Sequence, residues 1–581
     1  MHRLGFYGFI MILACSLSGM NYQELSSLEK SVADEGLHHF HLTPAHNPEG
    51  KSIRTIYIFT SKPFSKDTEF LTVFNNLHVD TKPSVIKQQL TIKEGEIYDE
   101  ALVHESALIL RGYGLVRSLA VIIPCHGKGL KPHQIDLLVA TKDLMSLQPN
   151  FSVSGSGFGS DFLMTNLVLG LSEHNFLGYN KSISGIYELQ QGAHLASLRY
   201  LDPNLFSSPW QLLVKPSILW TRDTLKFDGF LGDFKLEKPL LSEKDRWGYG
   251  LEASYGMRSI IDFNGSKIRT FEIKGHNGSN IVDRKYRWRY TKGSLFGRYS
   301  RGRTHKKEIF FGYHINVKRP SIFEGLNLSP EQRDYFIKHV LPRDERESYF
   351  KLGFSYFQNR FLTLYDYDNY RLEETIRLGP HLSLSNDFAS KPVLFGDHSF
   401  LRPETRVSLT HNLGPDAFFN VFAATSNRFD GSFNDNLFKF GASCISPKLF
   451  GIGRAVFEGR LSLVFDNRDN QQFALGSESG LRGVESRFYV GDKAFRTNLE
   501  YRSSPLDIWI FHGGLVLFYD VGSAFNTWAE ANATHALGFG IRILAPQISS
   551  IPFRLDLAFP VYGVGLKNHW ILPSFGTGQA F

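Results

Sequence analysis

From Gln148 to Phe581, apolar and polar residues alternate with a period of two, and this pattern limits the fold more than any other feature of the chain. Segments such as Ser182 to Glu188, Lys267 to Ile273 and Arg460 to Phe465 each offer one face to lipid and the other to water, with Gly, Asn, Asp and Ser clusters between them. Strands in hydrocarbon must close into a barrel, because an open edge leaves backbone groups unpaired. The region holds 434 residues. Sixteen strands would use roughly 27 residues each with their connections, which suits transmembrane strands of about ten residues. The aromatic content of 14% beside a mean hydropathy of −0.19 fits alternation rather than segregation. A soluble β-sandwich pair or propeller is the competing architecture, but no propeller-length repeat is present.

The start of the chain reads as an export signal. Met1 to Gly19 has a basic opening, His2-Arg3, then an apolar run from Leu4 to Leu13 that is too short to span a bilayer. Ile12-Leu13-Ala14-Cys15 also matches a loose lipoprotein box, so lipidation of Cys15 competes with ordinary cleavage after Ser18 or Gly19. Residues 20–52 are polar and weakly patterned, the expectation for a linker. Its histidines, His38, His39, His41 and His46, lack the fixed spacing of a metal site. The three cysteines are too few and too far apart for a disulfide framework, and the net charge of +7 is scattered without a basic run, so no nucleic-acid partner is expected.

Residues 53–146 read as a small mixed domain in the order strand, helix, helix, strand, strand. The strands are Ile53 to Thr60, Ser118 to Pro124 and Gln134 to Thr141. One helix spans Pro83 to Leu90, with Asp80 or Thr81 as its cap, and the second runs through Leu110 to stop at Gly112 and Gly114. Far downstream, Gly476-Ser477-Glu478-Ser479-Gly480-Leu481-Arg482-Gly483-Val484 sets one arginine among glycines, which lets the backbone fold sharply and carry a charge inward. A lumen-facing arginine needs carboxylates, and its fork rewards a pair held in place.

These phrases carry a family likeness. Lys93-Glu94-Gly95-Glu96-Ile97-Tyr98 before the second helix, within that order of elements, resembles a POTRA domain. Ser172-Glu173-His174-Asn175-Phe176-Leu177-Gly178-Tyr179-Asn180, Arg199-Tyr200-Leu201-Asp202-Pro203, Phe465-Asp466-Asn467-Arg468-Asp469 and Leu517-Phe518-Tyr519-Asp520-Val521-Gly522 resemble the bacterial surface-antigen family, the superfamily of outer-membrane protein assembly factors and two-partner secretion transporters. The resemblance covers residue 53 to the end. It implies a mainly β protein, a 16-stranded antiparallel transmembrane β-barrel over residues 148–581, preceded by one α/β POTRA domain over 53–146 that lies in the periplasm. It also implies an external loop folded into the lumen, with Arg482 and Gly483 as its motif and Glu500 and Asp520 as the arginine's partners, on successive expected strands where both can face inward at similar depth. Val484 stands where an aromatic residue is common. Gly576 and Phe581 fit the terminal recognition signal of such barrels, although Gln579 replaces its usual apolar residue.

No phosphate-binding loop, His-Glu-x-x-His or Gly-x-Ser-x-Gly elbow occurs, so an enzyme, a cofactor or a metal is not expected. Gly155-Ser156-Gly157-Phe158-Gly159 lacks a following helix pattern and reads as a hinge at the barrel edge. Phe323 to Arg346 reads as an external loop with a short helix. The function implied by the resemblance is insertion or translocation of unfolded client polypeptides at the outer membrane, in contact with its lipid, with accessory periplasmic or lipoprotein subunits. Clients would pair first at the POTRA sheet edge and then at the seam between first and last barrel strands. A dedicated export pore of the two-partner type and a passive porin or adhesin are the alternatives.

Overall fold

The computed structural model describes residues 22, 25, 27–63, 75, 78–112, 117–143, 145–157, 163–242, 245–273, 280–370, 373–391, 394–508, 511–544, 551–563 and 570–581. The export signal and Cys15 lie outside the described residues, as do Phe158 and Gly159 of the expected hinge.

The N-terminal unit begins earlier than the sequence suggested. Helix α1, Ser27–Phe40, and strand β1, Thr43–Pro44, occupy the stretch expected to be a linker. Val32, Ala33, Gly36, Leu37 and Phe40 recur at helical spacing, but the histidines and carboxylates between them hide the stripe. Then come β2 (Ser52–Ser61), α2 (Pro83–Gln89), α3 (Glu100–Gly112), β3 (Arg117–His126) and β4 (Gln134–Asp143). The last five follow the order read from the sequence. They form a sheet in the order β1-β3-β4-β2, with β2 parallel to β4 and β3 antiparallel to it.

Helices α2 and α3 pack Ile86, Val103, Ala107 and Leu110 on one face of the sheet, and α1 packs Val32, Ala33 and Leu37 on the other. A side chain on Gly36 would come within 3.1 Å of Leu138, so glycine is what lets α1 lie this close. Strand β4 is therefore covered on both sides, which explains its unbroken apolar run from Leu137 to Ala140. The cap of α2 is Lys82 rather than Thr81 or Asp80. The Thr81 hydroxyl instead donates to Asp143 at 2.8 Å. Cys125 sits under α1, and burial, aided by Asp136, pushes its thiol up to about 12. Since the thiolate is the reactive form, Cys125 should resist a maleimide at pH 8 in the native protein. Peptide mapping should find it modified only after denaturation.

The rest of the described chain is a closed antiparallel barrel, and its strand number corrects the expectation of sixteen. Twenty-two hydrogen-bonded segments form the closed sheet. Two of them, Arg360–Tyr365 and Leu506–Ile508, continue the preceding strands against the same neighbours, which leaves twenty strands. The sequence estimate allowed too much chain for connections: only two residues separate Gln190 from Ala193 and Gly414 from Ala417. A second correction concerns Lys267 to Ile273, which forms short ribbons within a loop instead of a barrel strand.

The barrel end that carries the N-terminal unit is here called proximal. Asn175 donates to the Val79 carbonyl at 2.8 Å and to the Thr81 hydroxyl at 3.0 Å, and Lys82 stands 3.6 Å above the Tyr179 ring. The stretch Ser172 to Asn180 is thus the joint between the two parts. At the distal end the long loops meet. Helix α4, Pro330–His339, lies in the expected external loop and opens with a capping box between Ser329 and Gln332. Its Phe336 packs with Val282, Tyr286 and Trp288 from the neighbouring loop and strand.

Around the wall the alternation is regular. In Lys493–Ser503, Arg496, Asn498, Glu500 and Arg502 are buried while Leu499 is exposed; in Phe511–Phe525, Phe518 and Asp520 are buried while Leu515, Leu517 and Tyr519 are exposed. Such an apolar outer band is the surface that a bilayer covers.

Candidate functional site

The connection between strands Gly453–Phe465 and Lys493–Ser503 enters the barrel from the distal end. A small ribbon, Phe473–Leu475 against Tyr489–Gly491, carries it down, and a tight turn at Ser477–Ser479 reverses it. Gly480 and Gly483 have φ of +83° and +89°. A Cβ on Gly480 would collide with Arg496, and one on Gly483 would lie 2.6 Å from that of Ala536. Both positions therefore need glycine for its backbone and for room. Leu481 and Val484 pack with Tyr489, Ala494 and Ala524, so Val484 anchors the loop to the wall by apolar contact. Val484 is not the aromatic residue common at its position, and an aromatic contact comes from the wall: the Arg482 guanidinium lies 3.5 Å from the centre of the Phe518 ring.

Arg482 is fully buried, and both expected partners meet it. Its Nε and Nη2 donate to the two Asp520 oxygens at 2.6 and 2.8 Å, and its backbone N–H reaches Asp520 Oδ2 at 3.2 Å. Nη1 stands 2.7 Å from Glu500 Oε1, with its N–H directed off the hydrogen-bond axis. Sequence reasoning missed a third carboxylate, Asp556, 3.8 Å from Nη1. It also missed a second layer of arginines. Arg502 donates to Glu500 at 2.8 Å, and Arg542 and Arg554 donate to Asp556 at 2.6 and 2.9 Å. The signal was in the alternation, since Arg554 and Asp556 sit at inward positions of Phe553–Tyr562.

Four arginines thus face three carboxylates. The excess charge meets the proximal turn, where Arg502 donates to the Tyr367 carbonyl at 2.9 Å and lies 3.6 Å from Asp368. Such an alternating stack is stable only as a set, because removing one member leaves a buried charge without compensation. Loop and wall are joined again by Asn498, which donates to the Gly480 carbonyl at 2.6 Å and to Asp520 at 2.7 Å.

Of the two C-terminal residues singled out in the sequence, Gly576 lies in the last strand, Leu572–Thr577, where a Cβ would stand 3.1 Å from Arg554 Nε. Phe581 is inside the barrel. After Thr577 the chain turns inward, and Gln579 accepts from Arg542 Nε at 3.0 Å while donating to the Asp368 carbonyl at 3.3 Å. The polar residue that departs from the terminal signal is therefore a lumen contact. Arg496 joins this tail to the loop, donating to the Ser479 carbonyl and facing the Phe581 ring at 5.9 Å.

The seam between the last strand and the first barrel strand, Leu147–Ser156, is the weakest part of the wall. Its register consists of Ser574 with Ser156 and Phe575 with Gly155, whereas the first strand pairs along its whole length with Leu163–Glu173. Among the described residues a further backbone bond, Gly157 N to Pro573 O at 3.1 Å, and a Ser152–Thr577 hydroxyl pair at 2.7 Å add to it. Among the described residues no group of three or more His, Cys, Asp or Glu is placed to hold a metal.

No family model and no curated protein sequence matches this chain. Solved structures similar to it include BamA from Haemophilus ducreyi lacking POTRA domains 1-3, at TM-score 0.41 and 13% identity over 96% of this chain and 94% of that one. CdiB from Acinetobacter baumannii follows at 0.41 and 10%, over 91% and 74%. CdiB from Escherichia coli stands at 0.39 and 11%, over 95% and 82%. Scores and identities this low leave the functional reading to the residues themselves.

Proposed function

We propose that this chain is an outer-membrane barrel that inserts or exports other polypeptides through a separable seam, and that it belongs to the superfamily its motifs resemble. The observation that carries this reading is the seam. A barrel used only as a wall or a passive channel gains nothing from joining one strand pair by so short a register among the described residues, because weak strand pairing is costly in hydrocarbon. A polypeptide arriving as a strand can supply the missing hydrogen bonds. The loop carrying Arg482 closes the lumen above and braces the strands on the C-terminal side of the seam. The N-terminal unit acts as a periplasmic POTRA domain that receives the client, with α1 as an added layer on its sheet.

Depletion of the protein from its host tests the reading. An insertase predicts that many outer-membrane barrels fall together. Loss of one exported protein alone would favour the dedicated pore, and unchanged levels of barrels and exported proteins would contradict both.

A further inference from the structure

The outer wall of the barrel is not evenly filled. On the side away from the seam, strands Trp247–Ile261, Lys285–Arg301, His305–Ile322 and Glu345–Gln358 form an apolar groove of about 560 Å³, within the roughly 300–1,000 Å³ of small-molecule sites. Tyr249, Leu251, Leu295, Phe311 and Leu352 wall it, and Trp210 joins them from a proximal turn. Gly293 and Gly297 flank Leu295 on the same outward face. A side chain at Gly293 would meet nothing within 4 Å, and one at Gly297 would come within 2.4 Å of the Phe311 ring. The hollow is what glycines leave in a wall of large side chains.

At the proximal end of this hollow the outward face is positively charged. Arg301 and Lys307 are register partners and both are exposed, although like charges directly opposed weaken a sheet. Lys238 stands on the same face, 6.0 Å from the centre of the Tyr249 ring. Among the described residues, the outward positions in the proximal halves of the five barrel strands from Phe227–Lys238 to Glu345–Gln358 hold no Asp or Glu. The carboxylate of the adjoining turn, Asp245, is turned to the Leu241 and Ser242 N–H groups at 3.2 and 3.0 Å. Between the cation pair and the groove lie Trp247 and Tyr299, with ring centres 4.8 Å apart, the residue types that mark a membrane interface.

We propose that this groove is a binding site for one acyl chain of an anionic phospholipid in the proximal leaflet, and that Arg301 and Lys307 hold its headgroup phosphate. The proposal rests on the reading of the chain as a membrane barrel and needs no client. The headgroup relieves the repulsion between the two cations, the aromatic pair sits at the level of the ester groups, and the chain fills the hollow. Occupancy ties this side of the barrel to the proximal leaflet.

The test is native mass spectrometry of the full chain in detergent, titrated with phosphatidylglycerol or with phosphatidylcholine of the same chains. One phosphatidylglycerol should be held about tenfold more tightly, the order expected of two cations beside an anionic headgroup. Arg301→Gln/Lys307→Gln should make the two lipids equal. Leu295→Trp, which fills the groove, should weaken both severalfold, with heat-modifiable mobility on gels showing that each barrel is folded. Glycerol phosphate, which lacks the chains, should displace neither. Equal binding of the two lipids by the unaltered protein, or a preference that survives the double variant, would overturn the headgroup site; unchanged binding in Leu295→Trp would overturn the groove. Lipid binding requires no insertion activity, so failure here is distinct from failure of the functional reading, which the depletion experiment reads.

Discussion

Arg482→Ala is expected to release the lumen loop and to abolish most client handling while leaving a folded barrel. The substitution leaves Asp520, fully buried, without the guanidinium that pairs with it, and leaves the equally buried Glu500 with Arg502 and Arg542 only. Breaking a buried pair by removing one partner costs on the order of 3–5 kcal/mol. The apolar anchor of Leu481 and Val484, about 1.5–3 kcal/mol for each buried side chain, is of the same size as that loss, so the loop is left close to balance between docked and released. Limited proteolysis should then cut within residues 466–492 in the variant and leave that segment intact in the unaltered protein. Arg482→Lys should fall between the two, because lysine keeps the charge but loses the two-point contact with Asp520 and the flat stack on Phe518. Unchanged protease sensitivity and normal client insertion in Arg482→Ala would contradict the latch.

The second large effect is expected at the seam. Ser156 and Ser574 are register partners, and directly opposed residues in an antiparallel pair have Cα atoms within disulfide range, about 4.5–5.5 Å. In a Cys444→Ser background, Ser156→Cys/Ser574→Cys should form a cross-link on oxidation, while buried Cys125 stays inert. Insertion should stop when the link forms and return on reduction. A control pair within the long register of the first two barrel strands, Val153→Cys/Leu167→Cys, should have no effect. Full activity of the oxidised seam variant would remove the seam from the mechanism.

The comparison between sequence and structure turns on which information is local. The meeting of Arg482 with Glu500 and Asp520 was legible because parity decides which face a strand residue takes, and both acids lie on even positions of adjacent strands. Asp556 follows the same parity, but it approaches Arg482 from a strand two places beyond that of Asp520. Nothing in spacing along the chain reports which inward positions meet there. The strand number was missed for a related reason: alternation identifies strands, yet two-residue connections such as that after Gln190 leave little mark between them. Helix α1 was hidden by polar residues around a narrow stripe, and its apolar face makes sense only with the sheet beneath it. The inward turn at Gly578 was likewise invisible, since Gln579 finds its partners on strands and a turn distant in sequence.

Reconstitution tests the central claim most directly. The purified full chain is placed in lipid vesicles, an unfolded outer-membrane barrel is added from urea, and its conversion to a folded, heat-modifiable form is followed with time. The account predicts faster conversion than in empty vesicles, lost in the oxidised seam variant and regained on reduction. Equal rates with and without the protein would contradict an insertase.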